Sequence, residues 1–216
     1  NSPVRTVSNY LEATADPMSC QGSYYYSLPL LDVEQFTITR SDSVLSSGTK
    51  GLMWMDYVVQ TYDQRAVEVF SEASWSFYAI QFPDINASLM VIEINSTTGS
   101  LPIARLFSTD GGMTLNYAHK PKYIWAINNI NIEAVPGTNW TSPKSNLDYA
   151  MQHRIQLMSE DFPADLTLTM VINDQEIYID EKTIKYEGLA TVEGTLGSMT
   201  VTGQAFVEIQ PVGHLK

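Results

Sequence analysis

The stretch GLMWMDYVV, residues 51–59, sets one carboxylate, Asp56, inside an otherwise apolar run. Side chains on a strand alternate between faces, so Trp54, Asp56 and Val58 share one side while Met53, Met55, Tyr57 and Val59 share the other. Both sides are largely apolar, which predicts a partly dry setting for Asp56. A carboxyl kept from water favours its neutral form and can donate a proton, and an indole face such as that of Trp54 can hold the resulting cation. A structural role is equally open: a carboxylate accepting backbone or Tyr hydrogen bonds that hold strands in register.

Two further acids sit in strand-like contexts. Glu93, in LMVIEIN, shares a face with Leu89 and Val91 and reads as an edge charge that discourages aggregation. Glu187, in IKYEGLATVEG, reads as part of a solvated face with Lys185 and Thr191, and is a second candidate for chemistry. His119, His153 and His214 are far apart, without a matching cluster of Asp or Glu, and make a poor metal site. Cys20 has no local His partner. There is no Gly-rich phosphate loop, HExxH, CxxC or GxSxG, so no cofactor and no metal is expected.

The elements that must position these residues are strands. Period-2 alternation recurs from the Tyr cluster at 24–26 to the C-terminus. It is clearest over 200–209, where Val201, Ala205, Val207 and Ile209 face one way and Thr202, Gln204 and Glu208 the other, with Phe206 interrupting the polar side. Leu166, Leu168, Met170 and Ile172 alternate likewise, as do Ile184, Tyr186, Ala190 and Val192. Turn residues at 97–99, 110–112, 136–137 and 194–197 separate the strands, and 141–152 reads as a long loop. Residues 1–22 form a lead-in or interdomain segment, and 23–212 one all-β domain. About 8 to 10 strands predict an antiparallel barrel, because closure removes exposed edges. Such a barrel can enclose an apolar cavity, with Tyr25, Tyr57, Trp75, Phe77, Trp125 and Tyr186 as candidate ligand-contacting rings; filling the core is the other use open to each ring.

Composition narrows the functions. The net charge of −12 over 216 residues excludes a role built on contacting nucleic-acid phosphates or an anionic membrane surface. No apolar run is long enough to span a membrane as a helix. Sequons at Asn86, Asn95 and Asn139 are candidate glycosylation sites and favour secretion over a cytoplasmic setting.

The segments YYYSLP (24–29), GLMWMDYVV (51–59), WSFYAIQFPDINASLMVIEI (75–94) and KYEGLATVEGTLGSMTVTGQAFVEI (185–209) occur in the order seen in one family. The chain resembles the later part of the hydroxyneurosporene synthase/AttH-like proteins, a group that includes carotenoid 1,2-hydratases and kievitone hydratases and is similar in architecture to the lipocalin-like fungal Diels-Alderases. The resemblance implies a lipocalin-like barrel, a lipophilic polyene, terpenoid or polyketide-type substrate, and hydration or cyclisation begun by alkene protonation. It also implies an amino-terminal lipocalin-like half or second chain as partner. A pericyclase that shapes a polyene and a carrier of a hydrophobic ligand are the alternatives. Trp54 and Asp56 match the family's Trp-x-Asp, and Tyr25, Tyr186 and Glu187 match more weakly. Tyr57 and Val58 stand where the family usually has a basic residue or His followed by an acid.

Overall fold

The computed structural model describes residues 6–8, 23–60, 74–96, 99–108, 129–160, 163–181 and 183–211, with 6–8, 23–30, 32, 57–60, 96, 101 and 108 described by backbone alone. The described residues are almost all strand, with a single 3-10 turn at Pro83–Ile85 and no α-helix. The chain divides into two compact units, 1–63 and 64–216.

The first unit holds β1 (Thr6–Ser8), β2 (Ser23–Val33), β3 (Phe36–Arg40), β4 (Ser43–Gly48) and β5 (Gly51–Gln60). β1, β2 and β5 form one antiparallel sheet and β3 and β4 a separate hairpin. The apolar run around Asp56 is therefore a strand, as its period predicts, and Asp56 stands opposite Ser27 of β2.

The second unit holds β6 (Ser74–Phe82), β7 (Ala87–Ser96), β8 (Gly99–Ser108), β9 (Ile130–Ala134), β10 (Asn139–Thr141), β11 (Asp148–Ala150), β12 (Gln152–Leu157), β13 (Ala164–Met170), β14 (Glu176–Asp180), β15 (Thr183–Leu196) and β16 (Met199–Gln210). Nine of them form one curled antiparallel half-barrel in the order β8-β7-β6-β16-β15-β13-β12-β9, with β14 also beside β15. β10 and β11 make a small hairpin where the sequence reads as a loop.

The described strands of the first unit pair only with one another. β8 and β9 end the hydrogen-bonded order of the second unit's sheet among the described residues and approach each other, so the sheet curls as an all-β lipocalin-like barrel does.

Alternation decides which side chains enter the core. Val201, Ala205 and Val207 of β16 are buried while Phe206 is 41% exposed, and Leu166, Leu168 and Met170 of β13 are buried in the same way. Ile172 lies beyond the end of β13, where the period no longer governs, and is exposed. The concave face is filled by Tyr78, Ile80, Phe82, Leu89, Ile155 and Tyr186, together with smaller neighbours. Gly194 lies inside β15 rather than at a turn, with φ 149°, and a Cβ there would run into the Asp165 backbone. Gly197, at φ 61°, makes the turn from β15 to β16.

Candidate functional site

On β5 the two-residue spacing brings Trp54 and Asp56 to the same side, and the indole Nε1–H donates to Asp56 Oδ1 at 2.7 Å. The bond fixes the carboxylate against the ring, so the Trp-x-Asp pair acts as one unit. Asp56 is exposed and Trp54 half-buried, whereas the sequence predicts a partly dry carboxylate. Met53 and Met55 on the opposite side are 46% and 37% exposed. A strand of apolar composition need not be covered: both sides of β5 at 53–56 remain at least partly open.

In the second unit, Glu187 and Trp75 project from the convex face, along with Lys185 and Glu208. Glu208 stands between Glu187 on β15 and Phe77 on β6 in the strand register. Its Oε1 accepts from Trp75 Nε1 at 2.9 Å and from Lys185 Nζ at 3.3 Å, and the Lys185 ammonium lies 5.6 Å from the Trp75 ring centroid. Glu187 and Glu208 are directly opposed like charges, and Lys185, two residues from Glu187, pairs with Glu208. Glu187 shares this face with the Lys185–Glu208 pair. Sequence reasoning singled out Trp75, Phe77 and Glu187 but missed Glu208 and Lys185 as their partners, since only the register of β6, β16 and β15 joins them.

Tyr186 lies on the concave face, opposite to Trp75 and Phe77, so these three rings do not line one cavity. It is wholly buried, its ring centroid 5.0 Å from that of Tyr149, which in turn stacks on Trp140 at 6.2 Å. Its hydroxyl donates to the Ile172 carbonyl and accepts from Gln175. Burial pushes the Tyr186 phenol up.

Beside these rings is a carboxylate that the sequence analysis missed. Glu176, 6% exposed, accepts hydroxyl hydrogen bonds from Ser142 at 2.6 Å, Ser145 at 2.5 Å and Tyr149 at 2.8 Å. Burial is the main reason the Tyr149 phenol is raised, and the neighbouring Glu176 adds to it. Glu176 begins β14 in a polar stretch, NDQEIYID, and its donors lie some 27 to 34 residues away, so no local period marks it.

A second buried polar pair joins Tyr78 to His153. His153 Nε2 lies 3.0 Å from the Ala150 carbonyl and must be the donor there, which leaves Nδ1 to accept the Tyr78 hydroxyl at 3.1 Å. Burial lowers the imidazole's proton affinity, with the Ala150 bond opposing that in part, and it raises the Tyr78 phenol.

Glu93 is half-buried and accepts from Ser100 at 2.9 Å. Because β7 lies between β6 and β8, Glu93 is not an edge charge. The backbones of Tyr25 and Tyr57 lie in β2 and β5, but their side chains, and all of Trp125, His119, His214 and Cys20, fall outside the described residues. Among the described residues no group of three His, Cys, Asp or Glu could hold a metal ion, and no helix is long and apolar enough to cross a membrane.

No protein-family profile and no curated sequence matches the chain. Solved structures do. Kievitone hydratase from Nectria haematococca superimposes with a TM-score of 0.64 at 16% identity, over 87% of this chain and 52% of that one. An AttH-like protein from Nitrosomonas europaea gives 0.59 at 20% identity, over 90% and 53%. CghA with Sch210972 gives 0.53 at 12% identity, over 91% and 56%. The chain has the fold of these proteins. It spans about half the length of each. The likeness agrees, at the level of fold, with the resemblance carried by the ordered sequence segments.

Proposed function

We propose that this chain contributes an acid site to a cofactor-independent enzyme that protonates an alkene of a lipophilic polyene, terpenoid or polyketide-type molecule, leading to hydration or cyclisation. The observation that carries the reading is the Trp54–Asp56 hydrogen bond, which makes the motif shared with the hydratase family a fixed indole–carboxyl unit. The fold shared with kievitone hydratase supports it.

In the proposed step the Asp56 carboxyl proton passes to one alkene carbon as the π pair forms the new C–H bond, leaving a cation at the other carbon. Attack by water forms a C–O bond, and the proton released returns to the Asp56 carboxylate. When an internal alkene attacks instead, a ring closes and proton loss to the same carboxylate ends the reaction. Trp54 orients the carboxyl, and its ring can face the cation, a contact worth about 1–2 kcal/mol once water is excluded. Asp56 is exposed, so the substrate's own apolar body must supply the dry surroundings as it lies over the strand. Glu187, in the second unit, is a separate candidate base, tested by E187Q.

The fold shared with CghA, solved with Sch210972, favours a second reading in which the protein shapes a polyene for a pericyclic reaction. Incubating the protein with candidate polyenes in 18O-labelled water, alongside its D56N variant, tests both. Label in the product, lost in D56N with the fold intact, is the expected result. An unlabelled isomer still formed by D56N points to the pericyclase. Recovery of every candidate unchanged points to a carrier and overturns the enzymatic reading.

A further inference from the structure

We propose that Asn139 is a site of N-linked glycosylation, the one of the three sequons whose Asn is exposed. Asn139 and Thr141 are the acceptor and hydroxyl residues of Asn139-Trp140-Thr141 and occupy alternate positions of the short strand β10. Both are exposed, while Trp140 between them turns inward to stack on Tyr149. The alternation therefore aims the whole recognition pair away from the core. β10 pairs only with β11 among the described residues, so a bulky glycan meets no second neighbouring strand there.

The other two sequons are placed differently. Asn86 is half-buried at φ 48°, in a tight turn closed by its own N–H on the Pro83 carbonyl at 3.2 Å. Ala87 and Ser88, which complete that sequon, are wholly buried. Asn95 is half-buried in β7, flanked by Ser74 of β6 and Ser100 of β8. A glycan attached to Asn95 before folding would have to be housed beside three paired strands as they form, and one on Asn86 would crowd the tight turn between β6 and β7.

The transfer forms a bond from Asn139 Nδ2 to the anomeric carbon of a lipid-diphosphate-linked oligosaccharide. The C–O bond to the lipid diphosphate breaks, and the amide gives up one proton. No other co-reactant is needed.

The test is to secrete the full chain from a eukaryotic host and map occupancy by peptide mass after enzymatic deglycosylation in 18O water. Asn139 is expected to carry most of the glycan, and the glycan should come off the native protein without denaturant and without lowering the melting midpoint. N139Q and T141A should each remove it, while N86Q and N95Q should leave it in place. An unoccupied Asn139 in the secreted wild-type protein, or predominant occupancy of Asn86 or Asn95, overturns the proposal. Occupancy is read on the wild type, so the outcome stands even where a variant fails to fold.

Discussion

His153 is held neutral by its surroundings: one ring nitrogen gives its proton to the Ala150 carbonyl, the other takes that of Tyr78, and the ring is buried. Its folded value lies below the ordinary 6.5. Between the two values the unfolded chain binds more protons than the folded one, so stability rises with pH. The contribution is intact above about pH 6.5 and is lost as pH falls towards the folded value. Urea unfolding midpoints measured across this window should drop as the solution is acidified, and H153Q should flatten the drop. An unchanged slope in H153Q would assign the pH dependence elsewhere. Asp165, held below the usual carboxylate range by Arg154, acts in a lower window, with its stabilising effect lost as pH falls through that depressed value. It is well exposed, so its share is small. With Asp56 as the proposed proton donor, W54F, which removes the indole donor, should lower turnover about 10-fold, the equivalent of about 1.4 kcal/mol, with the fold unchanged by circular dichroism.

At the scale of elements, Glu176 ties the β10–β11 hairpin to the start of β14 through three hydroxyl donors, two in its turn and Tyr149 in β11. Replacing Glu176 by Gln substitutes a donor group for one acceptor oxygen and should cost about 1–3 kcal/mol, with hydrogen exchange quickening at 142–150. In a double-mutant cycle, Y149F and E176Q should couple by about 0.5–3 kcal/mol; strict additivity would show that the 2.8 Å contact carries no stabilisation. The core faces of β13, β15 and β16 were legible in sequence because burial follows the two-residue period directly, as at Leu166, Leu168, Ala205 and Val207. The Glu176 cluster was not, because hydrogen bonds between residues 27 to 34 apart leave no trace in local alternation. Tyr186 and Trp75 illustrate a further loss: each was rightly placed in a strand, but which faces they share depends on a register across β6, β16 and β15 that no single strand encodes. The Trp54–Asp56 pair was legible because its two residues lie on one strand, whereas its exposure depends on what lies above that strand.

For the whole molecule, a net charge of −12 sets the long-range behaviour. Above its isoelectric point of about 4.5 the protein should bind an anion exchanger and show no salt-dependent association with DNA; measurable binding to duplex DNA at low salt would contradict this. Self-association should be greatest near that pH, where mutual repulsion vanishes. The two compact units also share one local device, an indole N–H bound to a carboxylate: Trp54 with Asp56 in the first unit, and Trp75 with Glu208 in the second. Each unit thereby carries its own optical reporter. A molecule settling over Trp54 would disturb the emission of that indole, so comparing titrations of W54F and W75F would tell, without any label and before any product is known, which unit a compound has met.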